Sequence, residues 1–263
     1  MSENDVSINL LDRAIQHIMT TARYSIYYGE GRDAYDVRGR TAHEIIFNVV
    51  DGKYRCPNAQ QGFSGFTTWT RGLAWAMCGF AEELEFFNSY QKENPVIPIL
   101  EKATRAVCDF YVEHTALDGI PYWDTGAPLL HKLGDYQQSV ADPYNAYEPV
   151  DSSAATIAAQ GLLRFGNYLK GKGDNKAGEY VAAGLTVAKT LLSEPYLSTD
   201  ENHEGLILHS IYHRPNGWDH IPTGSKIPCG ESSMWGDYHA RELMLYITRM
   251  IRQEPHLSFY THF

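Results

Sequence analysis

The sequence predicts an all-helical fold with one small β-hairpin. Apolar residues recur at helical spacing in several segments of about 15–20 residues each. The sequence shows no alternation of strands and helices, which argues against a nucleotide-binding α/β fold. The 263 residues are 43% hydrophobic and 21% charged, which is typical of a globular chain rather than a disordered one.

Two elements are predicted near the start of the chain. The first helix is predicted over residues 9–27, because apolar residues recur there every three or four positions: Leu10, Leu11, Ala14, Ile15, Ile18 and Met19. The β-branched segment 44–50 is followed by Asp51-Gly52, a strong hairpin turn signal. We therefore expect a short hairpin here, followed by a loop over residues 56–68.

A second helix is predicted over residues 69–90. Its first half, residues 72–80, is apolar on nearly every side, so we expect it to be buried all round. The long aromatic loops 119–149 and 195–236 are the expected location of function. Four more helices are predicted over residues 96–114, 152–170, 175–193 and 238–252.

Charge and aromatic content narrow the class of ligand. The net charge is −10, from 32 acidic and 22 basic residues, and an acidic surface repels the phosphates of nucleic acids. The chain also holds 18 Tyr and five Trp, whose rings combine a flat apolar face with a polar edge. Sugar rings share that dual character, although a tyrosine-rich core would account for the same composition.

Cysteine spacing and hydropathy bear on cofactors and compartment. Cys56, Cys78, Cys108 and Cys229 form no CxxC pair, which argues against a zinc site. Cys78 and Cys108 lie in apolar helical patterns and are expected to be buried thiols. No run of about 18 apolar residues is present, so no membrane partner is expected. Residues 1–9 are polar and do not resemble a signal peptide, which favours a cytoplasmic location.

Arg71 and Trp75 form the densest candidate cluster. Arg71 is expected at the start of the second helix, where its guanidinium would bind a carboxylate through two hydrogen bonds. Trp75 follows one turn later on the same face. An arginine beside an aromatic ring suits an acidic sugar. The structural alternative is that Arg71 pairs with an acidic residue of the protein near the helix start.

Three further motifs carry candidate polar groups. The Asp-Ser-Ser run at Asp151 is typical of a helix N-cap. His209 and His213 have the spacing of a metal-binding pair, but no third ligand follows at a clear spacing, which favours hydrogen-bonded histidines. Residues 233–238 open the last helix.

Together the motifs resemble those of a known family. In order they are Arg-Gly-x-Ala-Trp from Arg71, Asp-Ser-Ser-Ala-Ala from Asp151, His-x3-His-Arg-Pro from His209 and Trp-Gly-Asp-Tyr from Trp235. This series is similar to that of the unsaturated glucuronyl hydrolases, glycoside hydrolase family 88. Pro-Tyr-Trp-Asp at 121–124 fits the same family. The resemblance extends over about residues 14–249 and is specific as a series.

The resemblance implies a fold and a domain boundary. The family forms an (α/α)6 toroid of twelve helices, whereas about six are predicted here. We therefore expect residues 1–263 to form a single toroid domain with about half of the helices and with the N-terminal part of the family domain missing. Helix faces without partners would then be exposed, so a homo-oligomer is a further expectation.

The resemblance also implies a reaction. The family removes a 4,5-unsaturated uronic acid from the non-reducing end of lyase-generated oligosaccharides by hydrating its vinyl-ether double bond. An aspartic acid of tuned pKa protonates the sugar. The matching segment would precede Met1, so no catalytic residue is assigned and this chain alone is expected to have little activity. The resemblance implies a small oligosaccharide as substrate and no metal or organic cofactor.

The family's substrate-binding residues map onto five positions. They are His43, Gln61, Arg71, Trp75 and Trp235. Under this hypothesis Arg71 orients a negative group, His43 and Gln61 bind hydroxyls, and the tryptophans stack on sugar rings. Leu73 departs from the glutamine that is usual in the family.

Three alternatives remain open from the sequence. The chain could be a non-catalytic sugar-binding remnant, or an unsaturated rhamnogalacturonyl hydrolase, which shares the fold. It could also be a toroid sugar epimerase, in which His209 and His213 would lie near the reaction centre.

Overall fold

The computed structural model describes residues 2–3 and 6–258, and that part of the chain is mostly helical. The described helices are α1 Leu10–Tyr24, α2 Thr70–Tyr90, α3 Ile97–His114, α4 Ser152–Gly171, α5 Ala177–Leu191 and α6 Met234–Ile251. Two antiparallel pairs join β1 Ser2–Glu3 to β2 Val6–Ser7, and β3 Glu44–Phe47 to β4 Tyr54–Asn58. None of these helices combines the length and the apolar character needed to cross a bilayer.

The predicted hairpin is confirmed as β3 and β4. The turn between them contains Gly52, whose φ of 67° lies in the left-handed region that glycine tolerates. The second strand extends over residues 56–58, where a loop was expected, and Cys56 pairs with Ile46. Tyr24 packs its ring 5.0 Å from Phe47 and so fixes the hairpin against the end of α1.

Helix α4 is the centre of the core. It is buried along almost its whole length and packs against α2, α5 and α6. Its glycines allow this close packing, because a Cβ at Gly161 would lie 2.8 Å from backbone atoms of Met77 and Cys78. Asp151 caps the helix, accepting hydrogen bonds from the backbone N–H groups of Ser153 at 3.1 Å and Ala154 at 3.3 Å. The predicted N-cap is therefore confirmed.

One face of α2 differs from expectation. The prediction that residues 72–80 are buried all round is wrong, because Trp75 is 41% exposed and Gly72, Ala76 and Gly79 are only half-buried. Helices α3 and α4 cover the other sides of α2, whereas α1 packs against α3. The small residues of this face therefore border an open cleft.

The last helix begins at Met234 rather than at Tyr238. The hydroxyl of Ser233 accepts a hydrogen bond from the backbone N–H of Gly236 at 3.2 Å, which makes Ser233 the N-cap. Asp237 lies in the first turn, where a negative charge complements the helix dipole. The expectation that residues 233–238 open the last helix is therefore confirmed, whereas apolar periodicity alone placed its start too late, at Tyr238.

The cysteine prediction is confirmed at both helical positions. Cys78 and Cys108 are free and buried. Burial raises the pKa of the Cys78 thiol to about 12, so the reactive thiolate is scarce at neutral pH. Both side chains act as small apolar core residues.

Candidate functional site

A cleft of about 360 Å³ runs between α1 and α2. Its volume lies within the range of about 300–1,000 Å³ that is typical of small-molecule sites. We call it the α1–α2 cleft, and it is lined by His17, Ile18, Thr21, Ser25, Ile26, Thr41, Ala42, His43, Trp69, Gly72, Trp75, Ala76, Gly79, Phe80 and Glu83. It brings together two of the predicted site residues, His43 and Trp75.

His43 presents a hydrogen-bond donor to this cleft. Its Nδ1 accepts hydrogen bonds from the backbone N–H groups of Gln60 at 3.2 Å and Gln61 at 3.3 Å. Burial lowers the pKa of His43, so the ring is neutral at physiological pH and carries its proton on Nε2. The ring lies 4.5 Å from that of Trp69. An Nε2–H held in this way suits a sugar hydroxyl.

Trp75 supplies an exposed aromatic surface. The edge of its ring system meets His239, with 5.0 Å between ring centroids. Gln160 holds His239 in turn, through a hydrogen bond to its backbone carbonyl at 2.7 Å. Burial lowers the pKa of His239 to about 4, so this neighbour is neutral at physiological pH. Trp75 is therefore fixed in position while leaving ring surface for stacking.

Arg71 is buried behind the cleft rather than lining it. Its Nη1 donates to Asp151 Oδ2 at 3.2 Å and to Ser153 Oγ at 3.1 Å, and Nη2 donates to the carbonyl of Tyr212 at 2.7 Å. Nη1 also contacts the carbonyl of Ile211. The side chain is only 4% exposed. The structure thus realises the alternative in which Arg71 pairs with a carboxylate of the protein itself.

Two tryptophans enclose the Arg71 guanidinium. Its Cζ lies 4.8 Å from the ring centroid of Trp69 and 5.0 Å from that of Trp235, within reach of cation–π attraction. The indole N–H of Trp235 donates to Ser153 Oγ at 3.0 Å. Arg71, Asp151, Ser153, Trp69 and Trp235 therefore form one unit, which we call the Arg71 cluster.

Four of the five predicted residues fall into two adjoining groups. His43 and Trp75 line the α1–α2 cleft, and Arg71 and Trp235 belong to the Arg71 cluster. Trp69 lines the cleft and contacts Arg71, so it joins the two groups. Gln61 lies outside the cleft lining and contacts His43 through its backbone N–H.

Sequence reasoning missed Glu83 as a site residue. It lines the cleft, and its Oε2 is buried without a hydrogen-bond partner among residues 2–3 and 6–258. Burial, and then the charge of Glu82, raise the pKa of Glu83 to about 7. The signal lay in spacing, since Gly72, Ala76, Gly79 and Glu83 recur every three or four residues along one stripe.

His209 and His213 both lie in hydrogen-bonded loops. His209 Nδ1 accepts from the backbone N–H of Gly230 at 3.1 Å, and His213 Nδ1 accepts from that of Asn216 at 3.4 Å. Burial lowers the pKa of His209 to about 4. Across the part of the chain that the structure covers, no three His, Cys, Asp or Glu side chains group as a metal site would require.

The chain is similar in sequence to curated proteins that are named as hydrolases of unsaturated sugars. No family model matches the chain. An unsaturated glucuronyl hydrolase of Formosa agariphila is 29% identical over 233 residues, covering 88% of this chain and 47% of the relative. That of a Bacillus species is 28% identical over 208 residues, covering 79% and 46%. An unsaturated chondroitin disaccharide hydrolase of Streptococcus pyogenes is 26% identical over 237 residues, covering 89% and 48%.

Solved structures show the same fold. The unsaturated glucuronyl hydrolase of Bacillus sp. GL1 matches with a TM-score of 0.65 at 24% identity, covering 89% of this chain and 51% of that chain. A heparin-specific unsaturated glucuronyl hydrolase matches with a TM-score of 0.64 at 21% identity, covering 92% and 53%. The resemblance and the helical toroid fold predicted from the motifs are confirmed. The chain spans about half the length of the curated relatives it matches.

Proposed function

We propose that this chain is a glycoside hydrolase that removes a 4,5-unsaturated uronic acid from the non-reducing end of lyase-generated oligosaccharides. The observation that carries the proposal is the sequence likeness, over 88% of the chain, to an enzyme named for this activity. The aromatic α1–α2 cleft, with a neutral histidine donor at one end, has the chemistry of a sugar site.

The proposed reaction is hydration of a vinyl ether. The reaction needs a carboxylic acid, and no residue of this chain is assigned that role. The acid gives its proton to C4 of the unsaturated sugar, water adds its oxygen to C5, and the proton released by that water restores the acid. The hemiketal so formed then collapses, which opens the ring and frees the neighbouring sugar. Atoms balance with one water consumed per bond broken.

In this proposal the chain's residues bind and orient the sugar. His43 donates a hydrogen bond to a hydroxyl from Nε2, and Trp75 stacks on a ring. Gln61 keeps the tautomer of His43 through its backbone N–H. Arg71 and Trp235 act as positioning residues, because the buried ion pair with Asp151 fixes Trp69 at the wall of the cleft.

A sugar-binding role without catalysis is the second candidate. One observation favours it: the carboxylate of the Arg71 cluster, that of Asp151, already binds other groups of the protein. Asp151 is fully buried, caps α4 and is ion-paired with Arg71, so its carboxylate oxygens are already engaged by the protein itself. Binding without turnover would identify this second candidate.

Both candidates are tested by one titration of the purified chain with an unsaturated uronyl disaccharide. Turnover is followed by loss of the ultraviolet absorbance of the conjugated double bond, and binding by tryptophan fluorescence. Turnover supports the hydrolase and overturns the expectation that this chain alone has little activity. Binding alone supports the sugar-binding role, and absence of both overturns the two candidates. A parallel titration with an unsaturated disaccharide ending in rhamnose distinguishes a rhamnogalacturonyl specificity.

Trp75→Ala provides the matched variant for this titration. Because its ring is 41% exposed in the cleft, its loss should weaken binding about ten- to a hundredfold. Tyr90→Ala is the control, since Tyr90 is an exposed aromatic at the far end of the same helix. Equal affinities of the two variants would remove Trp75 from the sugar site.

A further inference from the structure

Glu83 is the last residue of α2 in the lining of the α1–α2 cleft, whereas His43 packs its ring 4.5 Å from Trp69, the residue before α2 begins. The cleft follows the stripe from Gly72 to Glu83, which at the helical rise per residue is about 16 Å long. That length accommodates more than one sugar ring. A sugar stacked on Trp75 near the His43 end therefore places its neighbour toward Glu83.

Among the described residues, no cation forms an ion pair with Glu83. The charged residue that acts on Glu83 is Glu82, and its negative charge opposes ionisation of the Glu83 carboxyl group. The adjacent cation, Arg164, is already paired with Glu82 at 3.2 Å and Glu85 at 2.6 Å. The Glu83 Oε2 also has no hydrogen-bond donor within the residues that the structure covers. A buried acceptor left in this state gains most from a ligand that donates a hydrogen bond.

We propose, on the basis of the proposed function, that Glu83 is a specificity-determining residue at a second-sugar position of the cleft. It accepts a hydrogen bond from a hydroxyl or ammonium group of the sugar next to the unsaturated uronic acid. It rejects a sulfate at that position, because two anions in a partly buried site repel each other. The substrate class is accordingly an unsulfated or amino-sugar disaccharide.

The protonation state of Glu83 makes this selectivity depend on pH. With the pKa of Glu83 raised to about 7, the carboxylate dominates above neutrality and the uncharged acid below it. Other groups around the carboxyl are His17 on α1, Glu82 on α2, Arg164 on α4 and Glu242 on α6. Rejection of a sulfate should therefore strengthen as pH rises through about 7.

The test compares two unsaturated disaccharides that differ by one sulfate on the hexosamine. Dissociation constants for the full chain are measured by calorimetry and tryptophan fluorescence at about pH 6 and about pH 8. At the higher pH we expect the unsulfated sugar to bind about tenfold more tightly, with a smaller preference at the lower pH. These measurements use the wild type alone, so they do not depend on whether a variant folds.

Glu83→Gln isolates the charge while keeping the shape of the side chain. It should bring the ratio of the two dissociation constants close to one at both pH values, mainly through tighter binding of the sulfated sugar. Glu113→Gln is the matched control, because Glu113 is an exposed glutamate on α3 outside the cleft. It should leave the wild-type ratio unchanged.

The outcomes separate the two proposals. Equal binding of both sugars by the wild type, or a ratio that survives in Glu83→Gln, overturns the role of Glu83 while the proposed function stands. Failure of the wild type to bind either sugar overturns both. A preference that Glu83→Gln abolishes and Glu113→Gln retains supports the specificity role.

Discussion

Arg71 and Asp151 are 80 residues apart in the sequence and form the buried ion pair of the Arg71 cluster. Removing one partner of a buried pair leaves the other charge without compensation. We expect Arg71→Ala to lower the free energy of unfolding by about 3–5 kcal/mol, measured by denaturant titration. Arg38→Ala, which breaks a half-exposed pair with Asp109, should cost about 1 kcal/mol or less. Similar small losses for both would mean that Arg71 does not hold the fold.

Glu83 should shape the pH dependence of stability. Its pKa rises from 4.5 to about 7 in the folded chain, so the folded state binds the proton more strongly than the unfolded state does. The stability that this provides is complete below about pH 4.5 and is lost as pH rises through about 7. Glu83→Gln cannot ionise and should melt higher than the wild type at about pH 8, with the difference shrinking toward about pH 5. Parallel melting curves for the two would exclude a raised pKa at Glu83.

At the scale of elements, replacing either of two glycines by alanine is expected to have opposite effects on stability. A Cβ at Gly79 would meet no atom within 4 Å, so Gly79→Ala should stabilise α2 by about 0.5–1 kcal/mol through helix propensity. A Cβ at Gly161 would lie 2.8 Å from the backbone of α2, so Gly161→Ala should destabilise by about 1–3 kcal/mol. Thermal melts of the two variants provide the comparison. Stabilisation by Gly161→Ala would contradict the close packing of α4 on α2.

The sequence predicted elements better than the contacts between them. Apolar periodicity located all six described helices, and the Asp51-Gly52 signal located the hairpin. It could not decide whether Arg71 meets a ligand or Asp151, because that choice depends on how α2 and α4 pack. Nor could the sequence show that one face of α2 is open, because small apolar residues give the same sequence pattern whether or not a neighbouring element covers them. Glu83 was missed for the same reason.

At the scale of the whole molecule, α6 leaves an apolar stripe without a partner in the described structure. The helix packs against α4, yet Met234 is 85% exposed, Tyr238 49% and Leu245 40%, at spacings that place them on one side of the helix. Arg241 is exposed on the same side, and exposed apolar residues grouped on one face in this way mark association sites or aggregation. We therefore expect the chain to self-associate, as the sequence resemblance also suggested.

Self-association is measured by light scattering over a range of protein concentrations. The wild type should show a mass that increases with concentration, and Leu245→Glu should shift it toward that of the monomer, because a charge in the stripe opposes burial against a second copy. Glu113→Gln, on a different helix, should leave the distribution unchanged. Since Leu245 is 40% exposed within one chain, Leu245→Glu should change the melting temperature of the monomer little. A wild type that remains monomeric at every concentration and melts in a single cooperative transition would show that the stripe is compatible with a solitary chain.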